Sequence, residues 1–238
     1  MITSNSNPKI KEIKKLHQRK YRLLSGTYLV EGEHLVEEAR LAGVLLKAYT
    51  TNANLEGELL SEQVMKYLTE AKGSIRQIGI CKTVLKNSLS NQILILDNVQ
   101  DPGNMGALMR SARAFNFNTI FISKNSVDIY NPKVIRSSQG AIFKLNFIFG
   151  ETTDFINKLK QENYDVFGTD VNNGQSLKTV STKRKFAFIL GNEGSGITKE
   201  VKQLGLSNIY INMSKTESLN VSVAGSIIMY ELNKNEEV

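Results

Sequence analysis

The sequence contains one cysteine, two histidines and three prolines, and it has no tryptophan. The single Cys81 cannot form an internal disulfide, and two histidines with one cysteine cannot complete a zinc site. No apolar run approaches the ~20 residues that a membrane-spanning helix needs. The first residues, MITSNSNPKIKEIKK, lack the apolar segment of a secretory signal peptide. We therefore expect a cytoplasmic protein that holds no metal and does not contact a membrane.

Positive charge is in excess, with a formal net charge of +7 at pH 7 and an isoelectric point near 9.3. An excess of this kind indicates a polyanionic partner. Seven basic residues and a single acid, Glu12, lie between residues 9 and 22. This run is either a solvated helix face or, because amide and aromatic side chains accompany it, a nucleic-acid contact. On the second interpretation, the RNA-binding residues are Lys11, Lys14, Lys15, Arg19 and Arg22.

Residues 1–85 are predicted to form a small α/β domain. Residues 8–22 have an apolar side chain at every third or fourth position, as in a helix with one buried face. The polar segment 81–92 is interpreted as a linker to the next domain. The predicted elements are a helix over residues 8–22 that buries Ile10, Ile13, Leu16 and Leu23, strands near residues 26–32, 44–51 and 75–80, a helix from residue 33 that stops at Gly43, and a helix around residues 61–71.

Residues 86–238 are predicted to form a second α/β domain with a parallel sheet. Its strands are apolar throughout and alternate with helices, which is typical of a parallel sheet covered on both faces. The predicted strands cover residues 93–96, 119–123, 141–149, 164–170, 185–190 and 208–212. The predicted helices cover residues 105–115, 132–138, 153–162 and 198–204, with a final helix from about Glu217 to Asn233.

Three polar loops follow strands of this sheet, where open parallel sheets bind their ligands. They are DNVQDPGNMGALMR after ILIL, GNEGSGIT after FAFIL, and NMSKTESLNVSVAG after IYI. The glycine-rich second loop follows a late strand and has no acidic partner ~20 residues on, so a dinucleotide fold of Rossmann type is excluded. It also lacks the lysine of a phosphate-binding P-loop, and Glu193 would repel a pyrophosphate. Such a loop suits a cationic or zwitterionic ligand.

These loops lie in segments that resemble, in order, the three motifs of the SpoU/TrmH family of RNA ribose 2′-O-methyltransferases. DNVQDPGNMGALMRSARAFNF matches the pattern N-x-G-x-x-x-R through Asn104, Gly106 and Arg110. FAFILGNEGSGIT contains the L-G-N-E-G-x-G core at residues 190–196, and INMSKTESLNVSVAGSIIMYE contains E-S-L-N-V-S-V-A at residues 217–224. The resemblance runs from about residue 90 to residue 233. Residues 1–85 are more weakly similar to that family's RNA-binding domain, which resembles kink-turn-binding ribosomal proteins.

The resemblance implies a SPOUT fold, in which the C-terminal segment of a parallel sheet threads through a loop and forms a deep trefoil knot. It also implies S-adenosylmethionine as the methyl donor, S-adenosylhomocysteine as the product and a homodimer as the working form. No metal is implied, since the sulfonium charge already activates the methyl group.

Catalytic roles follow from the same resemblance. Arg110 is expected beside the ribose 2′-hydroxyl and the target phosphate. Because a guanidinium has a pKa above ~12, a bidentate phosphate clamp with electrostatic help to the alkoxide is easier than action as a base. Asn104 either caps its helix or orients Arg110, and the two roles are compatible. Glu193, Ser218 and Asn220 complete the catalytic set, although each can instead make a loop or capping hydrogen bond. Arg113 either binds RNA or packs at the dimer interface.

The expected donor pocket is built from residues at the ends of three strands. In motif three, Asn212 stands where the family usually has proline, and a following glycine is missing, so a left-handed Asn212 would partly substitute. As plain core residues, Ile211 and Leu219 would look the same in sequence. The predicted donor-binding residues are Thr169, Leu190, Gly191, Gly196, Ile211, Met213 and Leu219.

The sequence thus predicts an enzyme that methylates a ribose 2′-hydroxyl of structured RNA. Large-subunit ribosomal RNA is favoured because the separate N-terminal domain resembles those of relatives that act on it. Two alternatives stay open: a transfer RNA 2′-O-methyltransferase, and a catalytically silent RNA-binding factor of ribosome assembly. A base N-methyltransferase of related fold fits less well, because such proteins have different loop sequences.

Overall fold

The chain divides into two compact units. The computed structural model describes residues 1–84, 88–171, 173–182, 184–215 and 218–233. Unit 1 comprises Met1–Val84 and Asp128–Phe143, and unit 2 comprises Leu85–Val127 and Lys144–Val238. The boundary predicted between residues 85 and 86 lies beside the first junction, but Asp128–Phe143, expected in the second domain, belongs to unit 1. Across the described ranges, no helix has the length and apolar character that crossing a bilayer requires.

Helices and strands alternate along most of the chain, and most elements lie where the periodicity predicts them. The early elements are α1 (Pro8–Lys15), α2 (Arg19–Ser25), β1 (Thr27–Glu31), α3 (Glu33–Leu41), β2 (Leu45–Thr50), β3 (Glu58–Leu59), α4 (Glu62–Leu68) and β4 (Gln77–Lys82). The later elements are β5 (Gln92–Leu96), α5 (Pro102–Ala114), β6 (Thr119–Ser123), α6 (Pro132–Ser138), a 3₁₀ helix (Ala141–Phe143), β7 (Asn146–Gly150), α7 (Thr152–Gln161), β8 (Asp165–Thr169), β9 (Gln175–Ser176), β10 (Phe186–Leu190), α8 (Lys199–Lys202), β11 (Ser207–Tyr210) and α9 (Val221–Asn233).

Unit 1 is built on a four-stranded sheet in the order β1–β4–β2–β3. Strand β4 is antiparallel to β1 and β2, and β3 is parallel to β2. The buried face of α1 packs with strand and α4 side chains in one apolar core that includes Ile10, Ile13, Leu16, Tyr49 and Met65.

The single helix predicted over residues 8–22 is wrong, because the chain breaks it into α1 and α2. The Arg22 guanidinium donates to the carbonyl oxygens of Leu16 (2.9 Å) and His17 (2.8 Å), which lie in the break between the two helices. These bonds satisfy carbonyls that a continuous helix would have paired with its own backbone. The break also reorients the second helix, so that Leu23, predicted to be buried, is 73% exposed.

Arg22 is therefore not on the predicted RNA-binding face. Its side chain is buried, and its Nη2 atom lies 2.6 Å from Oδ2 of Asp128. The partner belongs to the second segment of unit 1, so this ion pair ties that segment to α2. A buried and fully engaged guanidinium is unavailable to a phosphate, and we assign Arg22 to stability.

Unit 2 is built on a seven-stranded sheet in the order β7–β6–β5–β10–β8–β11–β9. Every pairing in it is parallel, which confirms the predicted sheet type. Strands β5 and β10 are buried along their whole length, as continuous apolar runs require. The strand predicted over residues 141–149 is partly wrong: its first residues form the 3₁₀ helix, and β7 begins only at Asn146. The predicted linker 81–92 is too long at both ends, since Cys81 and Lys82 belong to β4 and Gln92 belongs to β5; its residues 85–87 lie outside the described ones.

The order of the strands brings the three motif loops to one edge of the sheet. The chain runs outward from β5 through β6 to β7, then continues on the other side with β8, and β10 lies between β5 and β8. This reversal is a topological switch point, where the carboxyl ends of parallel strands leave room for a ligand. A late strand between two earlier ones is compatible with the knot implied by the resemblance, and the knot stays a prediction.

Candidate active site

A cavity of about 380 Å³ lies in unit 2, lined by residues that follow β8, β10 and β11 and by the first turns of α9. This volume falls in the range of about 300–1,000 Å³ that is typical of small-molecule sites. Its wall combines aliphatic side chains with polar and charged ones, and the second motif supplies a run of backbone groups. All seven predicted donor-binding residues line it, namely Thr169, Leu190, Gly191, Gly196, Ile211, Met213 and Leu219.

The second motif folds into a tight loop that closes on itself. The Asn192 and Gly196 backbones bond reciprocally, at 3.0 and 2.9 Å. The Asn192 side-chain oxygen accepts hydrogen bonds from the amides of Gly194 (3.0 Å) and Ser195 (3.1 Å). At Gly191 the loop approaches so closely that a Cβ atom would lie 2.1 Å from the carbonyl carbon of Gly196. Only glycine fits there, and Asn192 emerges as the loop's organising residue, which sequence reasoning passed over although it stands inside the motif.

A chain of hydrogen bonds joins the three motifs. Asn220 Nδ2 donates to Asn104 Oδ1 at 3.0 Å, and Asn104 Nδ2 donates to Glu193 Oε1 at 3.1 Å. Asn104 lies 89 positions from Glu193 and 116 positions from Asn220 in sequence, yet the three form one polar relay. The structure thus brings together three of the five predicted catalytic residues, and Glu193 and Ser218 also line the cavity.

The Glu193 carboxylate is held by several N–H donors. Besides Asn104, the amides of Asp101 (3.1 Å) and Gln100 (3.3 Å) donate to it. Partial burial alone raises the pKa of Glu193, but the hydrogen bonds from Asn104 and from backbone amides outweigh it, and the net pKa lies below the ordinary value of 4.5. Glu193 is therefore ionised at neutral pH and acts as an acceptor that positions Asn104.

The helix caps differ in part from those considered from sequence. The N-cap of α5 is Asp101, whose Oδ1 accepts the Asn104 amide at 2.8 Å, so Asn104 is not the cap. Its side chain is thereby free to join the relay. Asn220 has both roles: its Nδ2 belongs to the relay, and its Oδ1 accepts the Ser222 amide at 2.9 Å and so caps the first turn of α9. That helix begins at Val221, and the predicted start at Glu217 lies outside the described residues.

Helices α5 and α9 pack against each other at close range. Gly225 of α9 allows this approach, because a Cβ atom there would lie 2.5 Å from Leu108 Cδ2 and 2.6 Å from Leu190 Cδ1. The hydroxyls of Ser111 and Ser226 complete the contact at 2.7 Å. Motif three is thus fixed to motif one by packing as well as by the relay.

Asp97 is a site-positioning residue that sequence reasoning missed. It directly follows β5, it is 2% exposed, and it accepts hydrogen bonds from Thr152 Oγ1 (2.9 Å) and the Thr198 amide (2.9 Å). It therefore fixes the end of the motif-two loop to the end of β5. Asp97 is the first residue of the motif segment DNVQDPGN, but its role could not be predicted, because its partners Thr152 and Thr198 are distant along the chain.

Two residues in or beside the predicted donor pocket make hydrogen bonds that the sequence did not predict. Asn212 does not have the left-handed backbone that was expected, and its side-chain oxygen instead accepts the Ser176 hydroxyl, which joins motif three to β9. The Thr169 hydroxyl donates to the Ile189 carbonyl at 2.7 Å. It therefore braces β8 against β10, and its contribution to the cavity wall comes from the rest of the residue.

The two arginines of α5 lie outside this cavity. Arg110 is exposed, and its guanidinium makes no hydrogen bond or ion pair with the described part of the chain. Arg113 is also exposed and donates to Asn118 Oδ1 at 2.9 Å. The remaining predicted RNA-binding residues lie in unit 1, where Lys11 and Arg19 are exposed and Lys14 and Lys15 are half-buried.

Comparison with known proteins agrees with this geometry. The SpoU rRNA Methylase family model matches residues 91–230, and the MRM3-like substrate binding domain model matches residues 7–91. A Bacillus subtilis (strain 168) protein, named 23S rRNA (guanosine(2553)-2'-O)-methyltransferase RlmP, is 33% identical over 243 residues, covering 97% of this chain and 98% of its own. A Synechocystis protein, described as an uncharacterized tRNA/rRNA methyltransferase, is 28% identical over 257 residues, covering 99% of this chain and 94% of its own.

Solved structures show the same fold. The AdoMet-bound rRNA methyltransferase from Sinorhizobium meliloti superposes with a TM-score of 0.88 at 23% identity, covering 100% of this chain and 98% of its own. An RNA 2'-O ribose methyltransferase superposes with a TM-score of 0.84 at 27% identity, covering 100% of this chain and 99% of its own. With its three motifs assembled at one sheet edge and the family model matched over most of its length, the chain belongs to the SpoU rRNA methylase family.

Proposed function

We propose that the protein transfers a methyl group from S-adenosylmethionine to a ribose 2′-hydroxyl of large-subunit ribosomal RNA in the cytoplasm. The observation that carries this proposal is the Asn220–Asn104–Glu193 relay, which joins motif one to the two motifs that line the cavity. The substrate class is supported by the Bacillus subtilis relative, whose name specifies 23S rRNA. The substrate-binding domain model matched to residues 7–91 also supports an RNA substrate.

The cavity suits S-adenosylmethionine in size and in the chemistry of its wall. Ile211, Leu219 and Met213 supply apolar surface for an adenine ring, and the glycines of the second motif let backbone groups approach the ligand. When bound, the donor supplies an electrophilic methyl group on a positively charged sulfur. None of the described residues form a cluster of three or more potential metal ligands.

The nucleophile is activated by charge and position. A ribose hydroxyl attacks poorly until its developing negative charge is stabilised. Arg110 is permanently charged, so we assign it to clamping the target phosphate and stabilising the alkoxide rather than to removing the proton. Ionised Glu193 holds Asn104 by accepting from its amide, and Asn104 in turn fixes Asn220. Ser218, on the cavity wall, is assigned to the ribose or the donor.

A homodimer is part of the proposal. Val223, Ile227 and Tyr230 are 47%, 38% and 52% exposed and recur on one face of α9 at helical spacing. An exposed apolar face of this kind is typical of an interface. A second copy on α9 would cover it and complete a site of which Arg110, outside the cavity of its own chain, is one part. Ile227→Glu should therefore give a monomer in light scattering, with loss of methyl transfer.

The direct test is incubation of the purified protein with radiolabelled donor and total RNA from cells that lack the gene. Label in large-subunit rRNA that survives alkaline hydrolysis, as a 2′-O-methylated dinucleotide, supports the proposal. Alkali-resistant label in transfer RNA alone would instead support the first alternative. Binding of S-adenosylhomocysteine without labelling of any RNA would support the catalytically silent binder.

A further inference from the structure

A second concave surface lies in unit 1, between α1, α2 and the sheet, with a volume of about 420 Å³. Its floor is apolar, formed by Ile13, Leu16 and Ile80. Tyr21 and Leu24 of α2 and Tyr49 of β2 form its walls. We call this surface the α2 groove.

Helix α2 presents large apolar side chains that the fold leaves exposed. Leu24 is 75% exposed where it lines the α2 groove, and its neighbour Leu23, also 73% exposed, does not line it. The helix ends at Gly26, which is in the left-handed conformation with φ +63°. Tyr49 also lines the groove, but it is 2% exposed and therefore contributes to the buried wall.

The rim of the groove carries positive charge placed next to aromatic rings. Lys15 and Lys20 have their Nζ atoms 5.4 and 6.0 Å from the Tyr21 ring centroid, and Lys47 lies 5.3 Å from that of Tyr49. Lys9 and Lys15 line the groove, whereas Lys20 and Lys47 lie beside it through their contacts with Tyr21 and Tyr49. Two acids moderate this charge: Glu12 pairs with Lys15 at 2.6 Å, and Glu58 pairs with Lys47 at 2.6 Å and with Lys9 at 3.1 Å.

An apolar, aromatic groove with an excess of lysines suits one class of ligand in particular. An unpaired nucleobase has two apolar faces and a polar edge, and it is flanked by phosphates. Sequence-tolerant RNA binding commonly combines aromatic stacking with such a cationic rim. A neutral apolar peptide would leave the four lysines without a role, and the net charge of +7 favours a polyanion.

We propose that the α2 groove binds an unstacked nucleobase of the substrate RNA against Tyr21 and Leu24, with the flanking phosphates on Lys9, Lys15 and Lys20. This inference rests on the proposed function, because it takes RNA as the substrate. It adds a base-binding subsite in unit 1 to the methyl-transfer site in unit 2.

The test uses the full chain and two probes about ten nucleotides long: a fluorescein-labelled oligouridine and an abasic oligomer with the same ribose–phosphate backbone. The variants are Tyr21→Ala and Leu24→Ala. The matched controls are Tyr67→Ala, a tyrosine that contacts Lys14 outside the groove, and Leu23→Ala. Fluorescence anisotropy at fixed salt gives the affinities, and thermal melting verifies that every variant is folded.

Tyr21→Ala should weaken oligouridine binding by about 5- to 150-fold, the range found when a base-stacking aromatic is removed. Leu24→Ala should weaken it several-fold, the two controls should leave it within about twofold, and the abasic oligomer should not distinguish groove variants from controls. Equal affinities of groove and control variants for oligouridine would overturn the inference, as would a groove variant that changes only the protein's self-association.

Methyl transfer to rRNA, measured on the same variants, separates this inference from the proposed function. If the wild-type protein methylates RNA and the groove variants have the same RNA KM as the controls, the groove inference is refuted and the proposed methyltransferase function is retained. A wild-type protein that labels no RNA would sink the proposed function, whatever the anisotropy shows.

Discussion

Substituting alanine for Gly191 tests whether the motif-two loop shapes the donor cavity. The added Cβ atom would lie 2.1 Å from the Gly196 carbonyl carbon and 2.2 Å from the Ile197 amide nitrogen. Both obstacles are backbone atoms, and an ordinary Cβ contact is at 3.4 Å or more. The facing strand of the loop must therefore move by more than 1 Å (3.4 minus 2.1 Å gives 1.3 Å), which breaks the paired hydrogen bonds between Asn192 and Gly196.

The cost of such overpacking is about 1–3 kcal/mol, and more where backbone must move. If the strain stays in the folded state, the melting temperature should fall by about 2–4 °C for each kcal/mol in a chain of this size. If the loop shifts to relieve it, the cavity wall is displaced instead, and a loss of about 1.4 kcal/mol in ligand binding is a tenfold higher Kd. We expect Gly191→Ala to raise the Kd for S-adenosylhomocysteine at least tenfold in calorimetric titration.

The matched control lies in the same loop and on the same cavity. At Gly194 a Cβ atom would meet only the Asn192 side-chain oxygen, at 3.7 Å, so alanine fits. Gly194→Ala should therefore bind S-adenosylhomocysteine within about twofold of the unmodified protein and keep its melting temperature. If the Gly191→Ala protein binds as tightly as the Gly194→Ala protein, then the loop does not form the donor site and our assignment of the cavity is mistaken.

Three further predictions concern charge. Arg110→Ala should abolish methyl transfer while the Kd for S-adenosylhomocysteine changes by less than about threefold, and Arg113→Ala should keep turnover; retained activity in the Arg110 variant would refute its role as a clamp. Glu193→Gln replaces the ionised carboxylate, whose pKa in the folded protein lies below 4.5, with a neutral amide. The native carboxylate stabilises fully above pH 4.5 and loses its effect as the pH falls through the lowered pKa. The melting temperatures of native and Glu193→Gln proteins should therefore differ most at neutral pH and converge in acid, and a constant gap would contradict the relay. Charge reversal at Lys11 and Lys14 should raise the RNA KM and flatten its dependence on salt, whereas an unchanged KM would make this helix a solvated face.

Much of the architecture could be predicted because local pattern and global fold agree. The runs ILIL and FAFIL are apolar on both faces, so they had to become central parallel strands, and they are β5 and β10. Six of the seven predicted donor-binding residues belong to the long motifs, and Thr169 ends β8. All of them line the same cavity.

What failed was decided by contacts far apart along the chain. Nothing near Lys15 predicts the end of α1, because the Arg22 guanidinium that satisfies the carbonyls there is itself held by Asp128. Asp97 likewise acquires its role from Thr152 and Thr198, neither of which is a neighbour in sequence. Long-range polar partners of this kind leave no periodic trace in a single sequence.

Unit 1 is formed by two separate segments of the chain, which limits where the protein can be cut into independent parts. The segment Asp128–Phe143 interrupts unit 2 along the chain but belongs to unit 1. It contributes the buried side chains of Val134 and Ile135, and Asp128 is the counter-ion of Arg22. A chain cut once after Val84 would deprive the N-terminal piece of that counter-ion and strand two aliphatic side chains in water on the other piece. Exchange of unit 1 between relatives must therefore transplant both segments together, and a graft of the first alone should yield an insoluble hybrid.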